Sequence, residues 1–331
     1  MKLRCRKFLH LATGAVALVG AAVLAIGQEA LAQGPAARTL RLVVPFAAGG
    51  GADGLARILG QQVGQSHNQT VVVENRPGAA TVLATEAVAR AEPDGTTLLL
   101  VANSFVINPI LRPSLRYNPL TSFEPVCLLV NSPNLLVVNS SSPLRSLADF
   151  LAAARIRPGE LSIAAPGPVS VQQIAIEVFK RTTNADFTFV PFPGSAPAVT
   201  ALLGGHVTVV LANYSEVVEH LISGKLRPLA VAQRERMAAL PDVPTTGESG
   251  YRDFEVTVWN GVVAPAKTPK QTIEHLSTLL TSALQASDVR SKLSALALHP
   301  DGTCGAGFGT HLKGQHDYYA RAIREANIKA E

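Results

Sequence analysis

The chain has 331 residues, 47% of them hydrophobic and 16% charged, and a formal net charge of +5. Four positive charges (Lys2, Arg4, Arg6, Lys7) and one negative (Glu29) fall in the first 32 residues, which leaves 25 positive against 23 negative charges, a net of +2, for the rest. No Lys/Arg cluster follows residue 32, so nucleic acid and acidic membrane surfaces are poor candidates as partners.

The basic start runs into an apolar stretch from Leu9 to Ile26, and Ala30-Leu31-Ala32 offers the small residues that signal peptidase accepts. This pattern predicts a cleavable signal peptide over residues 1–32, with Gln33 opening an exported mature chain. An anchor helix fits less well: the run is at the short limit for spanning a bilayer, contains Gly14 and Gly20, and is followed by no basic stop-transfer cluster. Cys5 precedes the apolar run and so cannot be a lipoprotein attachment site, and the mature protein is expected to be soluble. Cys127 and Cys304 could pair in an oxidising compartment, but Cys127 sits in the apolar "PVCLLV", and the expectation is two free, buried thiols. No Cys/His spacing suggests zinc.

From Leu40 the pattern alternates: strand 40–46, helix 52–64, strand 70–76, helix 81–91, strand 97–103. Short apolar runs rich in β-branched residues between segments of helical period predict βαβ units and a parallel sheet. After apolar runs at 123–130 and 134–138 the alternation restarts: helix 146–155, strand 161–165, helix 170–181, strand 187–192, helix 196–205, strand 207–213, helix 215–224, strand 227–232. The chain ends with strand 256–265 and helical pattern from Lys270 to about Arg324, broken by the glycine-rich "HPDGTCGAGFG". Terminal helices without enough strands of their own are expected to cover the first sheet. The fold class is therefore α/β with two lobes, the second (136–255) inserted into the first (33–135 plus 256–331). Two crossings, near 131–139 and 255–263, would form a hinge below a cleft.

In an open parallel sheet, ligands sit outside the carboxyl ends of the strands, against the amino ends of the following helices. Here those ends read "FAAGGGAD" (46–53), "VANSF" (101–105), "AAPGPVS" (164–170) and "PFPGSAP" (191–197), with "LANYS" (211–215) similar. Glycine permits positive φ and close approach to the main chain, and free N–H groups of a first helical turn attract anions. The four main loops contain no Arg or Lys, and neither a P-loop nor G-x-G-x-x-G is present, so phosphate is a poor fit and a carboxylate a better one. A single such loop would be no more than a turn with Asp53 at a helix dipole; their recurrence at corresponding strand ends argues for a binding cleft.

The stretches "RLVVPFAAGGGADGLARILG", "VVVENRPGAATVLATEAVARAEPDGTTLLL", "VPFPGSAPAVTALLGGHV", "GKLRPLAVA" and "ALPDVPTTGESG" resemble, in order and across the mature chain, the Bordetella uptake gene (Bug) proteins, also called the tripartite tricarboxylate transporter substrate-binding family. The resemblance implies a periplasmic binding protein of Venus flytrap type, parallel and mixed sheets flanked by helices. It would close on a small carboxylate (a di- or tricarboxylate, an acidic amino acid, or an aromatic or pyridine acid) held by main-chain amides and waters. It implies no enzyme activity, no cofactor and no metal, a monomer, and delivery to the membrane subunits of a tripartite transporter. Carried over residue by residue, it implies a ligand site of Phe46, Ala47, Ala48, Gly49, Gly50, Asp53, Asn103, Ser104, Ala165, Pro166, Gly167, Pro168, Val169, Ser170, Gly194, Ser195 and Asn213. Asp53 either caps its own helix, the favoured reading, or accepts a hydrogen bond from the ligand.

Departures from the family pattern are Val169 for a glycine, Ser170 for a threonine, Gln173 for a histidine, Phe192 for a tyrosine and Ala212 for an acidic residue. Val169 adds bulk, Phe192 and Ala212 remove polarity, and Val169 is the expected specificity determinant. Seven histidines follow the leader, none in HExxH, and G-x-S-x-G is absent, so they are read as surface or structural. Trp259 could pack at the hinge or reach the cleft; Tyr318 and Tyr319 are read as packing residues of the last helix. Two competing readings are a ligand-presenting partner of a membrane sensor and a secreted α/β enzyme using Asp53 or a histidine as general base.

Overall fold

The computed structural model describes residues 39–328 except 168, 169, 253 and 297. The expected signal peptide, Pro168 and Val169 therefore lie outside the described residues. Among those described, no helix is long and apolar enough to cross a membrane.

Three strands, β1 (Leu40–Val44), β2 (Val71–Asn75) and β3 (Thr97–Ala102), pair in parallel in the order β2-β1-β3, joined by helices α1 (Gly51–His67) and α2 (Val82–Ala89). Every residue of β3 is buried, as a parallel strand covered on both faces must be. A short helix, α3 (Ser104–Leu111), follows directly; "SFVINPIL", with Pro109 inside it, gave no helical period to read, and Phe105, Val106, Ile107 and Asn108 bury it.

The two apolar runs at 123–130 and 134–138 are one strand, β4 (Phe123–Asn139), 17 residues long. Prolines 125 and 133 sit where a ladder tolerates them: the register shifts between Pro125 and Cys127, and Pro133 is the last residue paired with β9 (Thr257–Pro265). From Asn134 onward β4 pairs instead with β7 (Val209–Asn213) and β8 (Leu226–Val231). β4 thus carries one continuous sheet from its first half into its second. The second half adds α4 (Leu147–Ile156), β5 (Ser162–Pro166), α5 (Val171–Thr183), β6 (Thr188–Phe192), α6 (Ser195–Leu203) and α7 (Tyr214–Ile222), with β6, β5 and β7 in parallel. α4 is closed by a capping box in which Ser146 Oγ accepts from Asp149 N and the Asp149 carboxylate accepts from Ser146 N.

Strand directions place the loops. β9 is antiparallel to both β3 and β4, so β4 runs in the same sense as β1–β3. Because β4 passes from the first half to the second, the carboxyl ends of β1–β3 point toward the second half. β7 is antiparallel to β4, so the carboxyl ends of β5–β7 point back toward the first. The two sets of loops therefore lie on the sides of the two halves that are turned toward each other.

At the carboxyl end, α8 (Lys270–Gln285) and α9 (Ser287–Ala295) bury Leu276, Leu279, Ala283 and Leu293 against Leu55, Leu59 and the first half of the sheet, as expected. The last helix, α10 (Ala306–Ala326), does not stay there: it packs on α3, on β4 and on α5 of the second half. Its Phe308, Leu312, Tyr319 and Ile323 belong to one apolar cluster that runs through both halves and includes Phe105, Phe150, Phe179, Phe254 and Trp259.

The expectation of free thiols is corrected. Cys127 and Cys304 are disulfide-bonded across 177 residues, fastening the segment ahead of α10 to β4. An apolar neighbourhood does not argue against a disulfide, because the bonded sulfurs are themselves apolar and Cys127 is fully buried beneath α8.

Candidate functional site

The first strand-end loop is built around Asp53. Ala47, Ala48, Gly49 and Gly50 are exposed, Gly49 turns with φ +84°, and α1 opens at Gly51 with no side chain capping it. A Cβ on Gly49 or Gly51 would meet nothing within 4 Å, so the main chain is open to approach there. Asp53 is 4% exposed. Its Oδ2 accepts from Gly49 N (2.9 Å) and Arg57 Nε (3.0 Å), and its Oδ1 from Asn75 Nδ2 (3.0 Å). Asn75 Nδ2 also reaches Phe46 O at 3.2 Å. Asp53 therefore ties its own loop together without capping α1, and Arg57, one turn into the helix, balances its charge.

Hydrogen bonds from Arg57, then from Gly49 N–H, outweigh desolvation and lower the Asp53 pKa to about 2. A depressed carboxyl contributes stability that is fully present above its ordinary value of about 4 and lost as pH falls through the folded value. The stability gap between the parent and Asp53→Asn is therefore expected to be constant from neutral pH down to about 4 and to narrow toward about 2. Thermal melts across that range measure it, and a gap that does not change with pH would contradict the role given to this carboxylate.

A neighbouring element was not singled out from the sequence. After β2, Gly78, Ala79, Ala80 and Thr81 all have positive φ (143°, 47°, 53° and 79°), three of them without glycine's freedom. Such strain persists only where surrounding contacts impose it. Here Asn108 Nδ2 donates to Ala80 O (2.7 Å) and Thr85 Oγ1 to Thr81 O (2.9 Å), and the Thr81 and Ser104 hydroxyls lie 3.2 Å apart. The Pro-Gly pair of "RPGAAT" was the available signal. Its position after β2 sets Thr81 against Ser104, the first residue of α3.

Asn103, expected as a contact, turns inward. It is 4% exposed, and its amide bonds Thr257 O (3.1 Å), Tyr319 Oη (3.0 Å) and Trp259 N (3.2 Å). In the second half, Ala165 is buried, Pro166 and Gly167 are half-buried, and Gly167 N donates to Phe192 O (3.0 Å). A Cβ on Gly167 would meet Pro191 at 2.8 Å, so this glycine serves loop packing. Ser170 caps α5, its Oγ accepting from Gln173 N (3.0 Å) and donating to Pro166 O. Gly194 leaves α6 uncapped by any side chain, and Ser195 behind it is buried. Asn213 N donates to Glu216 Oε2 (3.2 Å). Desolvation raises the Glu216 pKa against hydrogen bonds from Ser195 and Asn213, so Glu216 joins the α6 and α7 entrances.

Trp259 is packed against α10. It is 1% exposed, stands edge-on to Phe308 and His311, and donates from Nε1 to Gln315 Oε1 (3.1 Å). It lines a crevice of about 1,090 Å³ with Tyr318, Tyr319 and Arg234, which contains none of the strand-end loop residues. Burial lowers the His311 pKa. Among the described residues no three His, Cys, Asp or Glu side chains gather to hold a metal ion.

Comparison with known proteins finds a match of residues 55–303 to the family model described as the tripartite tricarboxylate transporter family receptor. Protein BugT of Bordetella pertussis is 37% identical over 266 residues, covering 80% of this chain and 82% of BugT. Two solved structures from Rhodopseudomonas palustris share the fold. Rpa4515 with adipate has a TM-score of 0.78 at 31% identity, over 89% of this chain and 99% of that one. MatC with bound malate has a TM-score of 0.73 at 32% identity, over 88% of this chain and all of that one.

Proposed function

This chain belongs to the tripartite tricarboxylate transporter receptor family, whose members are periplasmic solute-binding receptors and not enzymes, and on that premise we propose that it captures a small carboxylate between its lobes and hands it to the membrane subunits of such a transporter. The proposal includes export through a cleaved leader over residues 1–32, a division into residues 33–135 with 256–331 and residues 136–255, and action as a monomer.

The observation that carries the reading is the open, uncapped entrance of α1. Gly50 and Gly51 are exposed at this entrance, and the Gly49 turn before them is held by a carboxylate that is itself neutralised by Arg57, so the loop presents main chain without a competing negative charge. α6 likewise starts at Gly194 without a side-chain cap, at a strand end of the second half. The malate and adipate held by the two relatives fit such entrances, and both are dicarboxylates. On this reading Phe46, Ala47, Ala48, Gly49, Gly50, Ser104 and Gly194 line the ligand, while Asp53, Asn103 and Ser195 hold their loops in place.

Any ligand that binds only the folded state stabilises it by mass action, about 2.7 kcal/mol at a hundredfold excess over its dissociation constant. A thermal-shift panel of C4 to C6 dicarboxylates, citrate, acidic amino acids and nicotinate is expected to contain at least one acid that raises the melting temperature. A panel in which every acid is silent while a neutral sugar or a cation stabilises the protein would remove the proposal.

A further inference from the structure

Three buried amide side chains bolt the loop-bearing helices to one short piece of the second crossing. On the first-lobe side, Asn103 closes β3 and opens α3; its Oδ1 accepts from Trp259 N and its Nδ2 donates to Thr257 O and Tyr319 Oη. On the second-lobe side, Gln172 in the first turn of α5 donates from Nε2 to Asn134 Oδ1 (3.1 Å). Asn134, the residue at which β4 changes partners, passes the connection on: its Nδ2 and its backbone N both donate to Val256 O, at 3.0 and 3.2 Å. Asn103 and Gln172 are each 4% exposed and Asn134 is fully buried. Both brackets therefore end on residues 256–259, one from each lobe, and Tyr319 adds α10, the helix that packs on both lobes.

We propose that Asn103 and Gln172 are positioning residues that lock the entrances of α3 and α5 to the crossing segment Val256–Trp259, making ligand capture by the loops and closure of the lobes a single transition. The physical ground is the cost of leaving a buried amide unpaired, which penalises any motion of one helix entrance that the crossing does not follow. An apolar side chain at either position would fill the space without imposing that penalty. The inference rests on the cleft reading of the preceding section and adds a claim about how the cleft moves.

The test places spin labels on exposed positions of the two lobes, Gln61→Cys on α1 and Glu219→Cys on α7, and records the interlabel distance distribution by pulsed electron resonance in the parent, Asn103→Ala, Gln172→Ala and Tyr319→Phe. Each is measured alone and with saturating malate or adipate, and the affinity for both acids is titrated calorimetrically. Asn103→Ala and Gln172→Ala are expected to broaden the unliganded distribution and to weaken acid binding roughly tenfold, the size of an ordinary intersite coupling. Tyr319→Phe, which keeps the ring and removes one of Asn103's three partners, is expected to broaden it less. A purely structural role would lower the melting temperature and leave the width unchanged. Unchanged widths in all three variants overturn the proposal whether or not either acid binds. Failure of both acids to shorten the parent's distance counts against the cleft reading instead.

Discussion

Replacing Cys127 and Cys304 together by alanine is expected to lower the unfolding free energy by roughly 3–5 kcal/mol, toward the upper end for a disulfide because the bond closes a very long loop. The sequence separation is 177 residues, and the bond joins β4 to the segment that launches α10. In the chain-entropy model the crosslink acts mainly on the unfolded state, which gains freedom when it is cut. The local consequence is distinct: without the bond, the amino end of α10 keeps only its packing, through Phe308 and His311 on Trp259, and the hydrogen bonds of the preceding segment to β4. Denaturant unfolding of the oxidised parent and the double variant gives the number, and amide exchange across Ala306–Leu312 shows whether the loss begins there. A double variant as stable as the parent would mean that the bond contributes nothing beyond what packing already holds.

Phe308→Ala is expected to cost about 3–5 kcal/mol, the usual range for emptying a fully buried aromatic site. Phe308 is fully buried and meets Trp259 edge-on at 6.1 Å between centroids. Its ring also occupies the space that a side chain at Gly261 would need: a Cβ there would lie 2.3 Å from Phe308 Cζ and 2.9 Å from Cys127 O. Gly261→Ala alone should therefore destabilise by overpacking, about 1–3 kcal/mol. Combined with Phe308→Ala it should cost less than the two single effects added, since the ring half of the clash is gone. Denaturation of the two single variants and the double variant measures the coupling, and strict additivity would contradict the packing described.

Most of the fold was legible because it is written in periodicity. The strands at Leu40, Thr97, Ser162 and Val209 and the helices between them lie within a few residues of where apolar spacing put them, since a parallel sheet covered on both faces needs continuous apolar strands. Three features were not legible. α3 is too short, and interrupted by Pro109, to show a helical period, and burial by its neighbours decides it. β4 read as two runs because Asn131, Ser132 and Pro133 break the apolar pattern at the point where the strand changes partners. The disulfide depended on the folding back of a glycine-rich segment onto β4, which residue types alone do not encode.

The site divides in the same way. Glycines and small residues at strand ends announced open main chain, and the β1–α1 loop has that character. The side chains were harder, because a polar residue beside a cleft can face the ligand or the frame. Asp53 and Asn103 face the frame, bonded to Gly49 and Arg57 and to Thr257 and Tyr319. The strained turn Ala79–Thr81 was invisible because nothing in "AAT" asks for positive φ; the contacts from Asn108 and Thr85 impose it. Val169, the departure expected to shape specificity, lies outside the described residues.

Whether this chain holds a small carboxylate and releases it unchanged is measured by mass spectrometry of the protein purified from the periplasm without dialysis, before and after denaturation. The expected bound species carries at least one carboxylate, is set free intact when the protein is unfolded and, when added back, raises the melting temperature of the emptied protein. A neutral sugar, a metal ion, or an acid converted to another compound on incubation with the folded protein would contradict the proposed function.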